Sequence, residues 1–343
     1  MYGNNSNGNV FAALWAVLAI GLGLAAFPAV AQPFAYVANG GTNTVTVIDT
    51  ATHPPSVVTT IGVGMSPDGV AVTPNGKRVY VANASSNTVS VIRAATNTVV
   101  PLPIGVGVQP IGVAITPDGT QAYVANLHDG TVSVIDTATK TVTQTVLSGN
   151  GADAVAVTPD GTRVYVANFT AGTVSVFARP GNTPVTSIPV EIHPSGIAIT
   201  PDGTHVYVVN KGSNSVSVIG TATNTVVKTI PVGAKPVGVA ITPDGTHVYV
   251  ANLASNTVSV IARPGNTVMA NIPVGPVGSG PNAIAVTPDG LHAYVANRLS
   301  ANVSVIRTAT NNVVATVGVG TLPFAVGIGP LVAPVPPGPP GAP

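Results

Sequence analysis

The sequence predicts an all-β protein: a seven-bladed β-propeller of four-stranded antiparallel blades, closed by a C-terminal strand that joins the N-terminal blade. Three features carry that expectation. The tetrad Tyr-Val-Ala-Asn begins at Tyr36, Tyr80, Tyr123, Tyr165, Tyr249 and Tyr294, with Tyr-Val-Val-Asn at Tyr207; one copy falls about every 43 residues, a period that suits four strands per repeat. A turn tetrad, Thr-Pro-Asp-Gly, recurs at 116–119, 158–161, 200–203, 242–245 and 287–290, with Thr-Pro-Asn-Gly at 73–76. The chain also opens on the second strand of a repeat and closes on a first one.

Each repeat divides into strands A to D. Strand A is a run such as 113–116, and the turn tetrad follows it. Proline fixes φ at the second position of a type I turn, Asp or Asn suits the third, and glycine takes a positive φ at the fourth. The result is a tight hairpin with a bulge at the glycine. Strand B carries the tyrosine tetrad, whose asparagine is expected to bond its own backbone and open the B–C turn. Strand C reads Thr-Val-Ser-Val-Ile, as at 131–135, with the valines on one face and Ser and Ile on the other. Small Ala and Ser side chains let neighbouring blades approach. Strand D, such as 225–232, follows a loop rich in Thr and Asn.

The two ends complement each other. Phe34–Asn39 is a strand B without a strand A, and Leu322-Pro323-Phe324-Ala325-Val326-Gly327-Ile328 matches Lys235-Pro236-Val237-Gly238-Val239-Ala240-Ile241. An open stack needs no such completion. A ring does, because closure removes exposed strand edges.

Composition excludes several classes of function. Charged residues are 7% of the chain, against about 25% in an ordinary domain. The net charge is +1 with no basic run, so no electrostatic track for nucleic acid exists. The chain has no cysteine, which excludes disulfides, thiolate metal sites and CxxCH haem attachment. Residues 10–27 are apolar or glycine throughout and Ala29-Val30-Ala31 follows, the pattern of a secretory signal peptide. Residues 1–9 lack Lys and Arg, and an uncleaved anchor helix is the alternative. The expected organisation is a signal peptide over 1–31, the propeller over 32–332, and a Pro/Gly-rich disordered tail over 333–343. A monomeric periplasmic, secreted or cell-surface protein is expected, with no membrane span after signal cleavage.

The tyrosine tetrads, in order with Asn-Thr-Val-Ser-Val-Ile and Thr-Pro-Asp-Gly, resemble the YVTN family of β-propeller repeats over about residues 34–329. The resemblance implies an exported, surface-layer-like prokaryotic protein and no single activity. This chain has Ala, or Val209, where the family name has Thr.

Candidate site residues come from positions that break the repeat. Asp118, Asp160, Asp202, Asp244 and Asp289 belong to turn tetrads, and Asp49 and Asp136 follow strand C. Asp68, Asp129, Asp153 and Glu191 are the remaining carboxylates. Just before strand A, the blades carry Asp68, Ile111, Asp153, Ser195, Val237, Asn282 and Phe324; two positions earlier they carry Ser66, Gln109, Gly151, His193, Lys235, Gly280 and Leu322. Asp68, Gln109, Asp153, His193, Lys235 and Asn282 are therefore expected to converge on one channel mouth as ligand-binding residues. His205, His247 and His292 hold one equivalent place on separate blades and cannot meet at a single ion. GxSxG, HExxH and Walker motifs are missing, and the only tryptophan is Trp15, so the docking motifs of quinone propellers are missing too. No catalytic residue, metal or cofactor is assigned. The leading expectation is a non-enzymatic scaffold that presents its loops to an envelope polymer, glycan or protein partner. The alternative is a metal-dependent, lactonase-like hydrolase or lyase, with Asp68, Asp153 and Asn282 as ligands and His193 as base.

Overall fold

The computed structural model describes residues 33–330, which form seven antiparallel sheets arranged in a ring. The leader expected at 1–31 and the tail expected at 333–343 lie outside the described residues. Among the described residues no helix is long and apolar enough to cross a membrane.

Blade 1 is the closing blade. Its strand A is Pro323–Ile328, and its strands B, C and D are Phe34–Asn39, Thr44–Asp49 and Ser56–Gly62. The closing pair runs antiparallel, with Ala35 opposite Ile328 and Val37 opposite Val326. Blades 3 to 7 repeat the four-strand pattern from inner strands Pro110–Ile115, Ala152–Val157, Pro194–Ile199, Pro236–Ile241 and Pro281–Val286. Blade 2 departs from it. Inside its strands Pro67–Val72, Arg78–Asn83 and Thr88–Arg93, the outer strand is broken into Thr98–Val99 and Ile104–Gly105. Pro101 and Pro103 fall in the break, and proline has no N–H to donate to a ladder.

The core is a set of seams between blades. At one seam Tyr80, Val89, Val91 and Ile104 of blade 2 pack against Ala122, Val124 and Ile135 of blade 3; six further clusters repeat the arrangement around the ring. Burying one such Val or Ile is worth about 1.5–3 kcal/mol. The ion pairs found among the described residues, Arg179–Asp118 at 3.7 Å and Arg263–Asp202 at 3.6 Å, involve half-exposed aspartates and are worth about 0–1 kcal/mol each. Apolar seams, not charges, hold the ring.

Two polar devices reinforce them. The asparagine ending each tyrosine tetrad is fully buried. It does not open the turn through its own backbone, as expected; its amide crosses to strand C instead. Asn83 Nδ2 donates to Thr88 Oγ1 at 3.1 Å and Ser90 Oγ at 3.0 Å, and the other six asparagines make the same pair of bonds. Burial decides this outcome, because an amide enclosed between strands must find partners there. The second device is a latch between blades. Tyr123, Tyr165, Tyr207 and Tyr249 donate their hydroxyls to Oδ1 of Asn182, Asn224, Asn266 and Asn311 in the C–D turn of the next blade. Those asparagines hold φ between 52° and 54°, a left-handed conformation that Asn tolerates.

Candidate active site at the channel mouth

The inner strands touch in a closed circle, and the D–A and B–C loops gather at one end of the channel they enclose. Strand A starts two residues earlier than the repeat suggests, at Pro110 rather than after Ile111 in blade 3. Its first residue, proline in six blades and Ala152 in the other, pairs with the tetrad asparagine. The variable position is therefore the second residue of the strand. The residue after it is Gly or Ala in every blade, for a steric reason. A Cβ on Gly69 would stand 2.1 Å from the carbonyl oxygen of Ile111, and one on Gly112 2.6 Å from that of Asp153. The four blades with glycine thus press their backbone onto the carbonyl of the neighbour's variable residue, while Ala154, Ala283 and Ala325 carry a Cβ at that place.

Two loop positions complete the mouth. Ser66, Gln109, His193, Lys235 and Leu322 all adopt φ of 49–57°, and Gly151 and Gly280 hold the same place in their blades at 80° and 60°. Each carbonyl there accepts the amide of the residue that follows the tyrosine tetrad: Lys211 donates to His193 at 2.9 Å, Leu127 to Gln109 at 2.9 Å, and Arg298 to Gly280 at 2.9 Å. This sevenfold bond fixes a second variable ring: Gly40, Ala84, Leu127, Phe169, Lys211, Leu253 and Arg298.

Four charged groups meet electrostatically at this mouth, from blades 2, 4, 5 and 7. Asp68 and Asp153 are half-buried where strand A opens on the channel. Burial pushes the Asp68 carboxyl up to about 7, against the pull of Arg298 and then Lys211. Burial pushes Asp153 up to about 8, with repulsion from Asp68 adding to it and Lys211 opposing. Aromatic rings border the cations: Arg298 Cζ lies 4.5 Å from the Phe324 ring centroid and Lys211 Nζ 5.9 Å from that of Phe169, within cation–π range.

The six residues picked from sequence separate in space and role. Asp68 and Asp153 act on each other electrostatically, the Asp68 charge raising Asp153. Asn282 is turned to the seam, where its Nδ2 donates to the Phe324 carbonyl at 2.7 Å. His193 stacks on Phe169, with centroids 4.4 Å apart and planes within 5°. Gln109 and Lys235 are exposed on their loops, held by amide bonds to Asn87 Oδ1 and Asn214 Oδ1. Of the other unassigned carboxylates, Asp129 accepts the Val108 amide and Glu191 the Ser215 hydroxyl. Among the described residues no three His, Asp or Glu side chains come close enough together to hold a metal ion. The sequence reading passed over Lys211, Arg298 and Phe169. The signal was present: the residue after the tyrosine tetrad varies from blade to blade as sharply as the one in strand A.

These features define a seven-bladed β-propeller with a carboxylate pair and two cations at its channel mouth. The family described as "Lactonase, 7-bladed beta-propeller" matches residues 183–271, from strand D of blade 4 through blade 5 to strand D of blade 6. No curated protein matches. Among solved structures, Kuenenia stuttgartiensis hydrazine synthase is similar at 26% identity, covering 80% of this chain and 92% of that one with a TM-score of 0.71. A functionally unknown protein from Desulfotomaculum acetoxidans is similar at 19% identity, 87% and 99% coverage and a TM-score of 0.76. A Bacteroides uniformis protein provisionally assigned as a 6-phosphogluconolactonase is similar at 18% identity, 87% and 99% coverage and a TM-score of 0.73.

Proposed function

We propose that the protein hydrolyses cyclic esters at the channel mouth, with Asp68 and Asp153 as a coupled acid–base pair and Lys211 and Arg298 as the groups that hold the developing negative charge. The observation that carries this reading is a shared mouth: two carboxylates from blades 2 and 4, near enough that the charge on Asp68 raises Asp153, with two cations that pull the other way. Environments that keep one carboxyl protonated while its neighbour ionises separate acid from base. In the singly protonated pair, the ionised member takes a proton from water as that water attacks the ester carbonyl. The ring C–O bond breaks, and the protonated member supplies the proton that the leaving alkoxide needs. Lysine and arginine near the carbonyl oxygen stabilise the tetrahedral oxyanion. The lactonase match over blades 4 to 6 and the fold likeness to the Bacteroides protein support the choice of cyclic ester. A binding scaffold has no use for such a pair, so the hydrolase reading is preferred to it. Export rests on the leader-like residues 1–31, and membership of the YVTN repeat proteins on the tyrosine tetrads.

The test is the opening of a panel of five- and six-membered lactones, including sugar lactones, by the purified protein with and without EDTA. Activity that survives EDTA and falls about 10²–10⁴-fold in both Asp68→Asn and Asp153→Asn is expected of a lost acid or base. Lactone opening at the same rate in those variants, or no opening of any lactone, contradicts the proposal.

A further inference from the structure

A cavity of about 290 Å³ lies in the seam between blades 7 and 1, at the turn end of the strands and away from the channel mouth. Its walls come from both blades: His292, Tyr294 and Arg307 on one side, and His53 of the C–D connection of blade 1 on the other. The register shows that these side chains face the same seam. Tyr294 packs on Ala35, Val37 and Ile48 of blade 1. His292 stands two residues before it on one strand and so points the same way. Arg307 is directly opposite His292 on the paired strand. The two imidazoles meet across the seam, with centroids 5.8 Å apart and planes at 58°.

Local sequence explains the meeting. The C–D connection of blade 1 runs over residues 50–55, two residues longer than the four-residue turns of the other blades, and carries His53 to blade 7. His53 Nδ1 donates to the Ala51 carbonyl at 2.9 Å, which leaves the lone pair of the neutral ring on Nε2. At the places equivalent to His292, His205 and His247 bond the hydroxyl of the threonine before them at 2.8 Å. His292 follows Leu291 instead, and its ring has no hydrogen bond among the described residues. Tyr294 is 1% exposed and lines the cavity, and its hydroxyl has no partner among those residues. The tyrosine latch is equally unmade at Tyr36 and at Tyr80, which donates to the Thr137 carbonyl, so its loss alone marks nothing. The histidine pair sets this seam apart. The charges around it favour a cation: Asp289 and Arg307 act on His292, and Asp49 and Asp289 on Tyr294, so two carboxylates outweigh one guanidinium.

We propose that His53, through Nε2, and His292 bind one late divalent transition metal ion across the seam, with water at its remaining positions and the Tyr294 hydroxyl donating to one such water. Imidazole suits zinc, copper and nickel. With metal–nitrogen bonds of about 2.0–2.1 Å and the radius of each ring, one ion joins imidazoles whose centroids lie up to about 6.4 Å apart. The bond from His53 Nδ1 to a carbonyl is the outer contact that orients a metal-binding imidazole. Two protein ligands are consistent with the lack of any three-residue cluster among the described residues. The ion ties blade 1, which both ends of the propeller chain build, to blade 7.

The probe is copper(II), titrated calorimetrically into the full-length protein, with calcium as the oxygen-seeking control. Copper is expected to bind with a Kd below about 100 µM and to show two imidazole nitrogens by electron paramagnetic resonance. It should also raise Tm, because the paired rings exist in the folded state alone. Calcium should do neither. His53→Ala and His292→Ala should each weaken copper at least about tenfold and leave one nitrogen, while His128→Ala, on a loop of blade 3, should change nothing. His53 is exposed, so the metal-free Tm of His53→Ala should match that of the native protein, and misfolding would not mimic the result. No copper binding tighter than about 100 µM, a single imidazole nitrogen in the native protein, or full affinity in His53→Ala would overturn the proposal. None of these outcomes depends on lactone opening.

Discussion

The two ends of strand A place the same residue type in opposite environments. At the turn end, Asp118, Asp160 and Asp244 each accept the hydroxyl of the turn's own threonine and the amide two residues on, as Asp118 does from Thr116 and Thr120. Those bonds hold the three carboxyls below their ordinary range, Asp118 at about 2, with the threonine hydroxyl as the largest cause. At the channel end, no such donors among the described residues reach Asp68 or Asp153, and burial drives them up to about 7 and 8. A turn aspartate is spent on the backbone. A channel aspartate is left with a proton to give or take, and the fold bears its cost.

That contrast can be sharpened by removing the channel charge. An unfolded aspartate ionises near 3.9, while folded Asp153 keeps its proton up to about 8. Between those values the native state binds more protons than the unfolded state, so stability falls as pH rises and levels off above about 8. Asp153→Asn deletes this decline. An asparagine there can also donate to the neighbouring blade's carbonyl, as Asn282 does to Phe324. The variant is expected to match the native protein near pH 4 and to exceed it by on the order of 3 kcal/mol at pH 9, read from urea unfolding at several pH values. A variant equal or less stable at pH 9 would break the contrast.

The turn end predicts a smaller effect of opposite sign. Asp118 has a depressed pKa, so its contribution is present above the unfolded value near 3.9 and lost as pH falls through about 2. Its side chain is half exposed, and solvent screening trims the gain. Asp118→Ala should cost about 0.5–1 kcal/mol at pH 7, with the difference from the native protein shrinking as the pH is lowered from 4 towards 2. Chemical denaturation at those pH values checks it.

Periodic features were legible in the sequence. The tetrads, the turn chemistry and the matching ends at Phe34 and Leu322 lead directly to a closed ring. Pro101 and Pro103 foreshadow the broken strand of blade 2. Features set by burial or by a neighbouring blade were not legible in the same way. The tetrad asparagines could serve their own turn or strand C, and enclosure between strands selects Thr and Ser five and seven residues on. His193 looked like part of the mouth's chemistry, but Phe169 on the previous blade captures its ring, a meeting no pattern within one repeat encodes. Lys211 and Arg298 are marked by their register, directly after the tyrosine tetrad, but lie on strand B's exit and not on strand A or its approach. Asp68 and Asp153 were readable because, of the four carboxylates left over once the turns had claimed theirs, these two hold the variable position at strand A.

The central claim is that two channel carboxyls stay protonated near neutrality as a coupled pair. The direct measurement is a carboxyl-carbon NMR titration of the folded protein labelled at its aspartates, ten in all since Glu191 is the only glutamate among eleven acidic residues. Two resonances titrating in separate steps between about pH 6 and 9, and merging into one perturbed step in Asp68→Asn, are the predicted result for a coupled pair. Ten carboxyls fully ionised by about pH 5, as ordinary aspartates are, would contradict the account.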